Sequence, residues 1–248
     1  MKRAGLILKN EYGKTQSITY KGAINLVTEM DHRAEAAVIK ILEKEFPSHS
    51  ILTEESNGRE GSSSYRWILD PLDGTTNYAH GYPFFCVSLA LEKDGQIIWG
   101  IIYDPLREEL FAAEAGRGAS VNGRALQVSA TRLMQQSFLC TGFPYDMRES
   151  TEDNLHYFSR FAKIAQAIRR DGSAALDLCY VAMGRFDGFW EMKLNPWDVA
   201  AGGLIVTEAG GRVTNFSGNP FSINGQEILA TNGLIHEDML SVLSKQEE

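Results

Sequence analysis

Two aspartates stand three residues apart where a buried strand is predicted to end. Tyr65 to Leu69 is a short aromatic and aliphatic run, which is typical of such a strand. Asp70 and Pro71 follow, and because proline offers no N–H to a sheet, we expect the strand to stop there. Asp73 comes next, ahead of the polar run Thr75 to Asn77, any member of which can cap a helix.

The chemistry of this stretch is that of a cation and an anion bound side by side. Asp70 and Asp73 would present two carboxylates, and Gly74 permits a tight turn into a helix start with unpaired N–H groups. A hard divalent metal suits the carboxylates, and a phosphate group suits the N–H groups. An acidic surface turn is the alternative, because Asp, Pro and Gly are also turn residues.

Two further acids fall at the ends of predicted elements. Glu54 follows a short strand from Ser50 to Thr53, and Asp198 lies in the first turn of a helix that Asn195 and Pro196 begin. Glu54 is followed by Glu55, and adjacent glutamates are commonly solvated. Asp198, taken alone, could simply interact with the dipole of the helix in whose first turn it lies. Oxygen ligands suit Mg²⁺, Mn²⁺ or Ca²⁺, and no Cys/His set suits zinc. The sequence also lacks a Ser-His-Asp order, a G-x-S-x-G elbow, a C-x5-R loop and a GKS/GKT loop.

The elements that must position these acids can be read from the periodicity. Residues 1–12 indicate a short helix. Thr28 and Asp31 have capping-box spacing at the start of a helix that Pro47 ends. The first half then continues as antiparallel strands, with a hairpin turn at residues 93–95. The second half alternates strands with helices, including one predicted over residues 149–167.

We therefore predict an α+β fold in one domain, residues 1–248, with an N-terminal lobe over 1–134 and a C-terminal lobe over 135–248. The chain has 248 residues and a net charge of −8, which argues against nucleic-acid binding through a broad basic face. Its three cysteines lack C-x-x-C spacing, which indicates reduced thiols and a cytoplasmic setting. No segment approaches the length of a membrane span, which predicts a soluble protein with no membrane partner.

Two stretches together resemble a known family. The string from Asp70 to Tyr78 and the later run from Trp197 to Gly202, with Glu208 to Gly211 behind it, resemble the two signatures of the inositol monophosphatase family. That family consists of metal-dependent, lithium-sensitive phosphatases. The resemblance covers about Lys21 to Asn232. It implies the layered α-β-α-β-α sandwich of the inositol monophosphatase and fructose-1,6-bisphosphatase type.

The resemblance also implies a role for each site residue. Asp31 and Thr75 match the pair that orients the attacking water, and Glu54 and Asp73 also match catalytic positions. The matched metal ligands are Glu54, Asp70, the Leu72 carbonyl, Asp73 and Asp198. The matched substrate contacts are Asp73, Gly74, Thr75, Gly172, Ser173, Ala174, Glu191 and Asp198. The implied cofactor is Mg²⁺, two or three ions per site, with Mn²⁺ as a substitute.

The implied reaction is hydrolysis of myo-inositol 1-phosphate, or a related sugar or polyol phosphate, by direct attack of metal-activated water. Fructose-1,6-bisphosphatase and histidinol-phosphate phosphatase activities stay open, since Arg169 and Arg170 could serve a second phosphate. The alternative from a different functional class is a regulatory binding protein, which would keep the pocket but catalyse no reaction. The partners expected are a small phosphorylated substrate and a second copy in a homodimer. Thr53, where the family often has Gly, and the short N-terminus depart from the pattern.

Overall fold

The computed structural model describes residues 1–14, 18–20 and 26–244, so that Lys21 lies outside the described part. The first half contains α1 (Lys2–Glu11), β1 (Ile18–Tyr20), β2 (Leu26–Thr28), α2 (Glu29–Glu45), β3 (Ser50–Thr53), β4 (Tyr65–Asp73), α3 (Thr75–Ala79), β5 (Cys86–Lys93), β6 (Gln96–Asp104), β7 (Glu109–Glu114), β8 (Ala119–Val121) and β9 (Arg124–Ala125). The second half contains β10 (Phe138–Thr141), α4 (Leu155–Ala162), β11 (Ala167–Arg169), α5 (Ala174–Ala182), β12 (Gly188–Met192), α6 (Pro196–Glu208), β13 (Arg212–Thr214), β14 (Glu227–Thr231) and α7 (His236–Leu243).

Two larger sheets carry the fold. The first has seven strands in the order β3-β4-β5-β6-β7-β8-β9, antiparallel except for the parallel pair β3 and β4. The second has five strands in the order β11-β10-β12-β14-β13, in which β10 runs parallel to both of its neighbours. The two strand sets fall on either side of residue 135. The division into two lobes of one domain stays a prediction.

The helices form three layers around these sheets. Side chains alternate along β4, so Trp67 and Leu69 pack against α1 and α2, whereas Ile68 faces a central layer made by α5 and α6. The far face of the second sheet packs against α4 and α7, with Phe161 and Met239 in that core. This order of layers is the predicted α-β-α-β-α sandwich, which is thereby confirmed.

Small residues let the central layer pack tightly. A Cβ atom at Gly202 in α6 would lie 2.5 Å from Leu178 of α5, so the two helices could not approach as they do with a larger residue there. Among the residues that the structure describes, no helix combines the length and the apolar character needed to cross a membrane.

The strand that carries the two aspartates was predicted to end too early. It continues through Pro71 to Asp73, because a bulge accommodates the proline: Asp70 pairs with Ser88 and Asp73 with Cys86. Three steps along β4 therefore match two along β5, and the Leu72 N–H donates to Asp70 Oδ1 at 2.9 Å. The predicted Thr or Asn cap of the next helix is also wrong, since Gly74 occupies the N-cap position with φ of 95°.

The helix predicted over residues 149–167 is much shorter and begins at Leu155. Tertiary bonds hold the preceding Asn154 out of the helix with φ of 70°. Its amide donates to the Thr141 hydroxyl at 2.9 Å and accepts from Trp190 Nε1 at 2.8 Å. The other predicted elements are confirmed within a few residues. The hairpin turn has positive φ at Asp94 and Gly95.

Candidate active site

Four acids from three parts of the chain meet at the end of β4, namely Glu54 after β3, Asp70 and Asp73 in β4, and Asp198 in α6. Burial raises the pKa of Asp70 well above its ordinary value, and the negative charges of Glu54, Asp73 and Asp198 raise it further. Burial likewise raises the pKa of Asp198, followed by the charge of Asp73. The structure thus brings together the four acids that the sequence singled out as oxygen ligands.

Hydrogen bonds from the protein orient three of these carboxylates. Asp73 Oδ2 accepts from the Ser173 hydroxyl and the Ala175 N–H, both at 2.7 Å. Asp198 Oδ2 accepts from the Asn195 N–H at 2.7 Å, which completes the capping box of α6. Burial raises the pKa of Asp73 to about 6, although these donors act in the opposite direction. Each carboxylate is thereby fixed through one oxygen, as metal ligands commonly are by a second layer of donors.

The chemistry of these donors fits a hard divalent cation. They are all oxygens, and their mutual repulsion would be relieved by positive charge. The side chains do not stand as a finished coordination sphere, since no group of three or more His, Cys, Asp or Glu in the described residues is placed to hold one ion. The set therefore fits Mg²⁺ in ligand type and in charge.

Asp31 and Thr75 lie in contact at the edge of this cluster. The Thr75 hydroxyl is 3.0 Å from Asp31 Oδ1 and 2.9 Å from the Leu72 carbonyl oxygen. Asp31 Oδ2 accepts from the Thr28 N–H at 2.8 Å, so one carboxylate both caps α2 and reaches Thr75. Burial raises the pKa of Asp31, while the hydrogen bonds from Thr28 and Thr75 lower it. The predicted capping box is confirmed, and no cap bond is made by Thr75 in α3.

A second acid of α2 holds the segment around Glu54. Glu35 lies one turn after Asp31 and is buried. Its Oε2 accepts from the Thr53 hydroxyl at 2.5 Å and from the Glu55 N–H at 3.1 Å. These two donors flank Glu54 in the chain. The departure from the family pattern at Thr53 thus has a structural partner, which the sequence analysis did not identify.

A cavity of about 220 Å³ borders the acids on the side of the second sheet. Seven of the eight predicted substrate contacts line it: Asp73, Gly74, Gly172, Ser173, Ala174, Glu191 and Asp198. Thr141, Gly142, Tyr145 and Asp177 also line it, although sequence reasoning did not assign these four to the site. Asn77 joins the two halves, because its side-chain amide donates to the backbone oxygens of Phe84 and Asp171, both at 2.7 Å.

Charged groups in the cavity wall are mostly acidic. Burial raises the pKa of Glu191 to about 8, and the Arg170 guanidinium opposes that shift. Tyr145 also lines the cavity, but its side chain is largely exposed to solvent. Arg169 is not among the residues that line this cavity. Its guanidinium lies 4.7 Å from the Phe138 ring centroid.

Asp177 could have been found from the sequence, whereas Tyr145 could not. Asp177 is an acid inside a run from Ala174 to Ala182 that is otherwise without charge, and an acid in a buried helix commonly has a specific role. Tyr145 lies in a loop whose sequence carries no comparable pattern.

Comparison with known proteins agrees with this geometry. The family model of the inositol monophosphatase family matches residues 1–248. An inositol-1-monophosphatase of Synechocystis sp. is 45% identical over 244 residues, which cover 97% of this chain and 85% of that protein. The Nus factor SuhB of Pseudomonas aeruginosa is 43% identical over 234 residues, which cover 92% of this chain and 86% of that protein.

A solved structure extends the comparison to the fold. The extragenic suppressor protein suhB of Bartonella henselae superposes with a TM-score of 0.93 at 41% identity, covering 99% of this chain and 96% of that one. The fold and the site define a metal-dependent class of phosphatases. The chain belongs to the inositol monophosphatase family and is by that membership an enzyme of the phosphatase class.

Proposed function

We propose that this enzyme is a Mg²⁺-dependent phosphomonoesterase that hydrolyses myo-inositol 1-phosphate, or a related sugar or polyol phosphate, by direct attack of water. The observation that carries the proposal is the meeting of four acids, one buried and three half-buried, with the Asp31–Thr75 contact beside a cavity large enough for a small alcohol. The similarity to a protein named inositol-1-monophosphatase supports the same substrate class.

Glu54, Asp70, Asp73, Asp198 and the Leu72 carbonyl are the proposed ligands of two or three Mg²⁺ ions, for which Mn²⁺ can substitute. When bound, Mg²⁺ supplies a lowered pKa for the attacking water and stabilisation of the leaving alkoxide. A phosphomonoester carries a charge of about −1.5 to −2 at neutral pH, which the acids alone would repel. The proposed cradle for its oxygens is the pair of N–H groups of Gly74 and Thr75.

Asp31 and Thr75 are proposed to orient the attacking water and take up its proton. A hydroxyl group is a poor base on its own, and a neighbouring carboxylate can accept its proton or fix its direction. The Thr75 hydroxyl has one hydrogen and two acceptors within 3.0 Å, Asp31 Oδ1 and the Leu72 carbonyl oxygen. If the carbonyl is occupied as a ligand, that hydrogen is left to Asp31, and the Thr75 oxygen can accept from water.

The charges of the cavity favour a neutral alcohol over one with a second phosphate. Arg170 is the one cationic side chain among the residues that line the described cavity, and it faces Asp177 and Glu191. A bisphosphate would have to place its second anionic group beside these acids. A fructose bisphosphate is therefore a weaker candidate than a monophosphate, and histidinol phosphate stays an alternative on the same site.

A phosphate-release screen tests the function. We expect turnover of inositol, fructose or histidinol phosphates to require added Mg²⁺, and millimolar Li⁺ to inhibit it, as the family resemblance implies. Full turnover in excess EDTA would contradict the metal assignment. Saturable Mg²⁺ binding without turnover of any ester would favour a regulatory binding role, which the similarity to a protein named Nus factor SuhB makes worth testing. The homodimer and the cytoplasmic setting stay predictions.

A further inference from the structure

One carboxyl oxygen in the cavity wall has no hydrogen-bond partner among the residues that the structure describes. Asp177 lies in α5, all nine residues of which are buried, and its own exposed fraction is 1%. Its Oδ1 atom is buried and makes no hydrogen bond with the part of the chain that the structure describes. A buried polar atom without a partner destabilises the fold, because it has given up its hydrogen bonds to water. A group that stays in such a place therefore points to a ligand or water that completes its hydrogen bonds.

The position of Asp177 is on the alcohol side of the site. Ser173, four residues earlier, donates to the Asp73 carboxylate and so marks the end of α5 nearest the acid cluster. One helical turn separates the two residues, a rise of about 5.4 Å along the axis. Asp177 and Glu191 both line the cavity. A phosphate ester seated on the acid cluster would thus direct its alcohol portion toward these two side chains.

The surroundings of Asp177 suit a neutral ligand. Burial raises the pKa of Asp177 well above its ordinary value, and the charges of Asp171 and Glu191 raise it further, against the Arg170 guanidinium. A carboxyl group that keeps its proton can donate one hydrogen bond and accept another, as neighbouring hydroxyl groups on a polyol require. An aromatic or aliphatic alcohol would leave the group unpaired.

We propose that Asp177 is a specificity-determining residue, whose carboxyl group exchanges hydrogen bonds with distal hydroxyl groups of a neutral polyhydroxy alcohol esterified to phosphate. The inference rests on the proposed phosphomonoesterase function and adds to it a residue that selects the alcohol portion of the substrate. A site that hydrogen-bonds a substrate hydroxyl discriminates strongly against analogues without it, because its own polar group is then left buried and unpaired. The same site would discriminate weakly if Asp177 were only structural.

The test compares esters that share the phosphate and differ in the alcohol. The wild type, Asp177→Asn and Asp177→Leu are assayed for kcat/KM with myo-inositol 1-phosphate, p-nitrophenyl phosphate and histidinol phosphate. We expect Asp177→Leu to lower kcat/KM for the inositol ester at least about 10-fold while p-nitrophenyl phosphate changes less than about 3-fold. Asp177→Asn, which keeps a donor and an acceptor, should retain most of the inositol activity. Asp238→Leu makes the same change on the surface and should alter neither ester.

Thermal unfolding separates specificity from folding. Because Asp177→Leu removes an unpaired buried polar group, its Tm should equal or exceed that of the wild type. An equal loss of kcat/KM for all three esters, or a fall in Tm for both variants, would overturn the specificity role. A loss confined to histidinol phosphate would show an anchor for an ammonium group instead. If the wild type hydrolyses none of the esters, the proposed function itself fails, and this inference fails with it.

Discussion

The two groups of buried acids in the site differ in how the fold holds them. Asp70, Asp73 and Asp198 all receive hydrogen bonds from backbone N–H groups, and Asp73 receives one from Ser173 as well. In the cavity wall, Asp177 Oδ1 receives none within the described residues. Burial raises the pKa in both groups. The two groups therefore differ in how the protein orients their carboxylate oxygens.

This difference separates two tasks. Acids that hold a cation gain from being fixed before it arrives, because each hydrogen bond to one oxygen leaves the other in a defined direction. An acid that selects an alcohol needs an oxygen that the protein itself leaves without a hydrogen bond. A substrate hydroxyl can then pair with that oxygen, and an alcohol without the hydroxyl binds less favourably. Under the proposed function, the site combines a preset half on β4 and α6, where Asp70, Asp73 and Asp198 lie, with a half on α5 and β12 that the substrate would complete.

Asp73→Asn should have the largest effect, since it acts on the preset half. It removes a negative charge at nearly constant volume, and the amide oxygen can still accept from Ser173 and Ala175. We expect a loss of turnover greater than about 10³-fold at saturating Mg²⁺. In metal-free buffer the Tm should stay equal or rise slightly, because repulsion within the acid cluster falls.

Asp104→Asn is the matched control for that substitution. Asp104 is buried and, like Asp73, accepts hydrogen bonds from backbone N–H groups, those of Leu106 and Arg107, but it lies outside the site. Its variant should lose stability and keep turnover. If Asp73→Asn loses as much metal-free stability as the control, Asp73 is structural and the comparison between the two groups of acids does not hold.

Asp31 and Thr75 should act as one unit, with the next largest effect. Asp31→Asn, Thr75→Ala and the double variant should show similar losses in kcat, each about 10²- to 10⁴-fold. Thr28→Ala weakens the capping box and should cost about 1 kcal/mol of stability with little change in rate. Stopped assays of kcat with unfolding curves for all four variants distinguish the two roles. Rate losses that multiply in the double variant would show independent residues.

The preset half was largely predictable from the sequence, and the other half was not. Asp70, Asp73 and their neighbours form one short string, so residue types at fixed spacing indicate their chemistry. The bulge at Pro71 was not predicted. It depends on the Leu72 N–H donating to the Asp70 side chain in place of a hydrogen bond to the neighbouring strand, and no local sequence pattern indicates that exchange. The length of α4 was missed for a related reason, since Asn154 is held by distant residues.

Long-range side-chain contacts mark the limit of prediction in the site as well. Asp31 was assigned its partner Thr75 through the family resemblance, and the structure places the two in contact. Glu35 belongs to no motif, and Asp177 is marked in the sequence only as the acid within an otherwise uncharged run. Glu35 binds a strand end that lies 18 residues away along the chain, and the missing partner of Asp177 becomes visible only when all neighbours are placed. Local hydrophobic periodicity predicts neither the contact of Glu35 nor the unpaired oxygen of Asp177.

Glu35 offers a smaller test of orientation within the preset half. Because it accepts from both residues that flank Glu54, Glu35→Gln should raise the Mg²⁺ concentration for half-maximal activity by about 10-fold. Thr53→Val removes one of its two donors and should give a smaller shift. KM for the phosphate ester should change little. Calorimetric titration with Mn²⁺ measures the affinity without turnover, and Glu43→Gln, on the exposed face of α2, is the control. A change in KM alone would contradict the positioning role.

The smallest effect is expected from a buried base far from the site, and it has the opposite pH dependence to the acids. Burial lowers the pKa of His236 to about 4, and the charge of Arg212 adds to this. Its ring nitrogens lie 3.0 Å from the Thr214 hydroxyl and 2.9 Å from the Thr231 hydroxyl. The unfolded chain binds a proton at about pH 6.5, whereas the folded chain does not until about pH 4. Stability should therefore fall as the pH drops from about 6.5 toward 4.

His236→Gln should remove this part of the pH dependence. Relative to pH 7, its Tm at pH 5 should fall less than that of the wild type, by about 2–4 °C. His80→Gln, on the surface, should follow the wild type. The buried acids respond in the other sense, because a carboxyl group with a raised pKa stabilises the fold less as the pH rises above its unfolded value. If both histidine variants fall in parallel with the wild type, the acid sensitivity arises elsewhere, and the neutral ring at His236 contributes nothing measurable.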